Sequence, residues 1–142
     1  MRPTALATLL AAVLALPGGG VVAQADSGSR QQAETAATEW LRLVDAGKYA
    51  ASWEAAASAF RSAVTPADWE RSVTRARAGF VPISSRTLLS ATYAERLPGA
   101  PAGQYYVLRF RVHGTEDGIE TVVPMKDAGT WKVSGYFIRP AD

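Results

Sequence analysis

The hydrophobic period changes once along this chain, near Ile83, from helical spacing to strict alternation. Upstream, apolar residues recur three and four positions apart; downstream, they recur every second position. Helices first and strands afterwards predict an α+β domain, with the helices gathered on one face of the sheet. No internal repeat or second domain interrupts that order.

The helical half turns on the stretch Trp40-Leu-Arg-Leu-Val-Asp-Ala-Gly-Lys-Tyr-Ala-Ala-Ser-Trp53. Trp40 and Val44 share one helix face, as do Tyr49 and Trp53, so two short helices can meet across a turn at Gly47. The first helix is expected from about Gln32 to Ala46, with Ala33, Ala36, Ala37, Trp40 and Val44 as its apolar stripe. Gly47 suits its left-handed C-terminal cap. A second helix is expected from about Tyr49 to Ala63, with Trp53, Ala56, Ala57 and Phe60 inward. Thr65-Pro66-Ala67-Asp68 announces a third, with Thr65 as N-cap, Pro66 in the first helical position and Asp68 favouring the dipole. Its stripe is Trp69, Val73 and Ala76, and Gly79 and Pro82 end it.

In the alternating half, strands are expected at Arg86 to Leu97, Gln104 to Gly114, Ile119 to Lys126 and Thr130 to Ile138. Glu116-Asp117-Gly118 and Asp127-Ala128-Gly129 are hairpin signals. Short connections force antiparallel neighbours, giving a four-stranded meander. Strict alternation puts Trp131, Val133 and Phe137 on one face of the last strand, and Lys132, Ser134, Tyr136 and Ile138 on the other. Pro124 is best tolerated near a strand end or on an unpaired side.

Residues 1–25 carry the marks of a secretory signal peptide. Arg2 opens them, Ala5 to Leu16 is apolar but too short to span a bilayer, and Ala23-Gln24-Ala25 offers small residues for cleavage. Residues 26–142 then form a single domain, with 26–31 as a disordered polar tether. The expected location is exported, periplasmic or secreted, with no transmembrane segment after cleavage. The chain has no cysteine, which rules out disulfides, thiolate metal sites and a lipidated cysteine. A formal net charge of +2, reduced by one with Arg2 gone, makes no electrostatic case for nucleic acid.

The assembled motifs resemble a known family. Trp40-Leu-x-Leu-Val-Asp-x-Gly-x-Tyr-x-x-Ser-Trp53, Ser85-Arg86, Leu97-Pro-Gly-x-Pro-x-Gly-x-Tyr105 and Trp131-Lys-Val-x-Gly-Tyr-Phe-Ile138 are similar to the pattern of domain of unknown function 4019, a family of small, mostly exported bacterial proteins. The resemblance implies a cystatin-like, nuclear-transport-factor-2-like fold, with three helices on a curved four-stranded antiparallel meander. It implies no activity.

The chemistry-bearing residues are few. His113 is the sole histidine and stands beside arginines, as surface histidines do. With no cysteine, it cannot assemble a zinc site, and no phosphate loop or nucleophile elbow is present. No cofactor or metal is expected. Asp45 is the most informative acid, because in the last turn of a helix it opposes the macrodipole and something must offset it. Three readings stand: it caps the turn by accepting the amides of Gly47 or Lys48, it pairs with Arg86, or it serves as a general acid or base at the mouth of a cone-shaped cavity, as the broader superfamily implies. Such a cavity would be lined by Trp53, Phe60, Trp69, Tyr93, Tyr106 and Tyr136, and would suit isomerase- or hydratase-like chemistry on a small molecule. The competing expectation is a non-enzymatic module that binds a protein or an envelope component. Its contact surface would be a polar sheet face bearing Arg109, Arg111, His113, Glu120, Lys132 and Tyr136, open to a protein partner or a second copy.

Overall fold

The computed structural model describes residues 17–142, with side chains from residue 28 onward. Four helices precede four strands: α1 (Pro17–Asp45), α2 (Tyr49–Ala55), α3 (Ser58–Ala63), α4 (Pro66–Arg77), β1 (Ser85–Ala94), β2 (Tyr105–His113), β3 (Gly118–Asp127) and β4 (Thr130–Pro140). The strands form one antiparallel sheet in the order β1-β2-β3-β4. The α+β meander expected from the change of period is therefore the observed architecture, and the sheet is open. The start of the expected signal peptide, with Arg2 and the apolar run to Leu16, lies outside the described residues. Residues 26–31, expected as a tether, are helical within α1. No described helix is long and apolar enough to cross a membrane.

The α1–α2 turn follows from Gly47. Its φ of 75° is open to glycine without a Cβ penalty. The Lys48 amide donates to the Leu43 carbonyl at 2.9 Å and the Gly47 amide to the Val44 carbonyl at 3.0 Å. Together these bonds satisfy the last carbonyls of α1. The Gly47 and Lys48 amides are thus taken by backbone carbonyls, and the expectation that Asp45 accepts them does not hold.

The single helix expected over Tyr49 to Ala63 is two. Ala56 and Ala57 are extended, with ψ of 166° and 153°, because the sheet offers this segment better partners than a continued helix. The Ala57 amide donates to the Val133 carbonyl of β4 at 2.8 Å. The Ser58 amide and hydroxyl donate to the Asp127 carboxylate at 2.7 and 3.1 Å. At α4 the Thr65 hydroxyl accepts the Asp68 amide at 3.1 Å, as its cap motif predicts.

Helix and sheet meet in a core of Trp40, Leu41, Val44, Phe60, Trp69, Val73, Tyr106, Leu108, Phe110, Val122, Trp131 and Val133. Its polar centre is Ser52, fully buried. The Trp40 indole donates to the Ser52 carbonyl at 2.8 Å, and the Trp69 indole to the Ser52 hydroxyl at 2.9 Å. That hydroxyl donates in turn to the Tyr49 carbonyl at 2.7 Å. One serine in the short helix α2 so satisfies two buried indoles from α1 and α4.

Two register shifts change which residues face the helices. Across β3 and β4, Val123 pairs with Gly135 and Pro124 with Val133, leaving Ser134 as an extra residue. Its hydroxyl donates to the Val123 carbonyl at 2.9 Å. An extra residue reverses the alternation beyond it. Tyr136 therefore turns inward beside Trp131 and Val133, and Phe137, expected on their face of the strand, lies on the other and is 64% exposed. In β1, Leu88 pairs with Phe110 and Ser90 with Arg109, so Leu89 is the extra residue and is 53% exposed. Pro124 is buried at the β3–β4 shift, not at a strand end.

Candidate functional site

The α4 stripe expected as Trp69, Val73 and Ala76 continues as Trp69, Val73 and Arg77. Ala76 is exposed, whereas Arg77 is only 2% exposed. A guanidinium can stay charged there only if carboxylates meet it. Two do. Its Nη2 donates to Asp45 Oδ1 at 2.7 Å and its Nη1 to Glu120 Oε2 at 3.1 Å. Glu120 has no exposed surface. Its strand position opposite Phe110 points inward, and the solvated sheet face expected for it is incorrect.

Arg86 closes the circuit. Its Nε donates to Glu120 Oε1 at 2.6 Å, while its Nη1 and Nη2 reach Asp45 Oδ2 and Oδ1 at 3.0 and 3.2 Å. Each arginine therefore bridges both carboxylates, and the ring of four carries no net charge. Tyr136 braces it from β4, donating to Glu120 Oε2 at 2.5 Å and accepting from Arg77 Nη1 at 2.9 Å. Without the Ser134 bulge the phenol would sit on the other side of the sheet.

The electrostatics follow from this packing. Burial works against the charged form of Asp45, but hydrogen bonds and charge from Arg86 and Arg77 prevail, holding its carboxyl below the ordinary value. Burial likewise opposes the charge on Arg77 and Arg86, and the surrounding acceptors raise both above the usual arginine range. Burial and the neighbouring Glu120 push the Tyr136 hydroxyl up, so it stays protonated and donates. Both Asp45 oxygens are occupied by guanidinium groups. Such a carboxylate is a structural anion, poorly placed to exchange protons with a substrate.

The residues expected around a cone-shaped cavity separate into two packed groups. Phe60, Trp69 and Tyr136 join Trp40, with ring centroids of neighbouring pairs 5.1–6.0 Å apart. Tyr106 lies between Tyr93 and Trp131 at 5.4 and 5.5 Å. The Trp53 indole donates to the Val64 carbonyl at 2.7 Å. Rings in mutual contact fill the space that a ligand between them would need.

The opposite, outer face of the sheet carries a different set. Paired residues form two rows across the strands: Ser90, Arg109, Thr121 and Phe137, then Thr87, Arg111, Ile119 and Arg139. Arg109 and Arg111 are brought together there as expected, while Tyr136 and Glu120 are on the other side. Arg109 is exposed and has no hydrogen-bond or ion-pair partner among the described residues. Asp117, in the β2–β3 turn, reaches Arg111 at 3.5 Å and His113 Nδ1 at 3.1 Å. His113 is thus a surface residue at a turn.

At the β4 edge of this face lies an open groove of about 320 Å³. Phe60, Pro101, Tyr105, Met125, Tyr136 and Phe137 supply most of its apolar wall, so two of the residues expected around a cavity, Phe60 and Tyr136, border this groove. The loop that carries Pro101 is fastened there by the Tyr105 hydroxyl, which donates to the Pro101 carbonyl at 2.5 Å.

Residues 36–136 match the family model described as protein of unknown function (DUF4019). The chain belongs to that family. The matched span takes in Asp45, Arg77, Arg86, Glu120 and Tyr136, so the whole charge ring lies within the family domain. No curated protein and no solved structure shows a significant match.

Proposed function

We propose that this chain is an exported, non-enzymatic binding module that engages a protein or an envelope component through the outer face of its sheet. The observation that carries the reading is Phe137, a large aromatic 64% exposed in a strand and aligned in one row with the unpaired Arg109. Aromatic and arginine side chains are the commonest energetic anchors of protein interfaces, and both stand here on a rigid sheet. The export part rests on the leader-like residues 1–25, and the cystatin-like, nuclear-transport-factor-2-like kinship on the motif resemblance and the helix-on-sheet layout.

A photo-crosslinking residue at position 137, compared in the native cell with the same residue at Glu70 on the exposed side of α4, tests the reading. A discrete adduct from 137 and none from 70 is expected. Adducts from 70 alone, or from neither, would overturn it. Fractionation of the same cells checks export, since retention of the full-length chain in the cytoplasm contradicts it.

A further inference from the structure

We infer that the partner of the outer face is an acidic segment of another protein, one that sets a carboxylate on Arg109 and an apolar side chain in the groove beside Phe137. This rests on the proposed docking role of that face and adds the chemistry of what docks. Charge is the first ground. The two rows contain Arg109, Arg111 and Arg139 and no acidic side chain. Of the neighbouring acids, Glu120 points inward, Asp127 is held by Ser58, and Asp117 in the β2–β3 turn is taken by Arg111 and His113. Arg139 donates only to the neighbouring Pro140 carbonyl, so Arg109 and Arg139 are available to an incoming anion.

The same charge argues against a second copy. Two such faces brought together would oppose arginine with arginine, and like charges across an interface are costly. A lipid surface fits less well. Leu89 and Phe137 lie on the two edge strands, three strand spacings or about 14 Å apart, and the face between them offers three arginines, fewer than the four to eight basic residues of polybasic lipid-binding clusters. An extended or helical segment suits the spacing better. Arg109 and Phe137 are two strands apart, about 10 Å, within the reach of neighbouring side chains on one short peptide. The groove beside Phe137 has room for one large apolar side chain of that peptide.

Selection of a random short-peptide display library on the purified chain tests this, with Arg109→Glu and Phe137→Ser variants in parallel. Both positions are exposed, and circular dichroism checks that each variant keeps its fold. Enriched peptides should place Asp or Glu near an aromatic or branched residue. Their binding should weaken roughly tenfold or more with either variant and fall as salt rises. Neutral peptides lost with Phe137→Ser but indifferent to Arg109→Glu would overturn the acidic partner and leave the docking face standing. Peptides indifferent to both variants would overturn both, and no enrichment at all would overturn the acidic partner. Binding to phosphatidylglycerol vesicles without peptide enrichment, or a dimer disrupted by Phe137→Ser, would assign the face to lipid or to a second copy instead.

Discussion

Arg77 and Glu120 meet at 3.1 Å inside the fold, 2% and 0% exposed, from a helix and a strand far apart in the chain. Removing one member deprives the other of one of its two counter-charges, since Glu120 keeps Arg86 and Arg77 keeps Asp45. Arg77→Met should cost about 3–5 kcal/mol of stability, because a buried carboxylate is then under-compensated. Adding Glu120→Leu to it should recover part of that loss. Urea unfolding of the two single variants and the double variant measures the coupling, and simple additivity would show that the pair acts independently.

Asp45 makes the ring sensitive to acid. Its pKa is lowered in the folded chain, so the unfolded chain binds the proton more readily. The stability it contributes is complete above the unfolded value of 3.8 and is lost as pH falls through the lower folded value. Asp45→Asn should therefore lower the melting temperature at neutral pH and flatten the acid limb of a melting-temperature profile. The loss should be smaller than that for Glu120→Gln, since a third of the Asp45 side chain is exposed. An unchanged acid limb would remove Asp45 from the account.

Ser52 serves two indoles at once. Ser52→Ala leaves the Trp69 N–H without its acceptor while sparing the carbonyl used by Trp40. The expected loss is about 1–3 kcal/mol, the cost of an unsatisfied buried donor. Equilibrium denaturation followed by tryptophan fluorescence measures it, and a loss within a few tenths would mean that the Trp69 indole finds another acceptor.

Gly114 is required by backbone proximity. A Cβ there would stand 1.9 Å from the Phe80 carbonyl oxygen and 2.9 Å from that of Pro82. Neither is a flexible side-chain end, so Gly114→Ala must shift the segment after α4. It should destabilise more than Gly129→Ala, where the new methyl meets nothing within 4 Å and only the φ of 84° opposes it. Thermal melts of the two variants provide the comparison.

The sequence shows the layers of this fold clearly, and the ring only in fragments. The change of period at Ile83, the cap at Thr65 and the turn at Gly47 are local features, set by nearest neighbours and turn chemistry. Asp45 with Arg86 was legible because an acid in the last turn of a helix needs an offset. Arg77 left one usable signal, its position four residues after Val73 on the Trp69 stripe. Glu120 left one as well, an acid facing the same way as Val122. Neither can be read alone, since a buried charge makes sense only once its partner is known. The bulge at Ser134 left no signal, as the alternation on either side of it looks continuous.

That unpaired serine has a further consequence. By making neighbours of an inward phenol and an outward phenyl, it writes the anchor of the charge ring and the proposed contact residue into a single dipeptide, Tyr136-Phe137. Pairing that serine regularly within the strand would exchange the two, putting a ring without a hydroxyl against Glu120 and a phenol into solvent, whereas deleting it would leave both rings on their present faces. One residue held out of the ladder thus sets the phase of both rings, and a strand that drew it back into the pairing would lose the brace of the charge ring and the contact residue together.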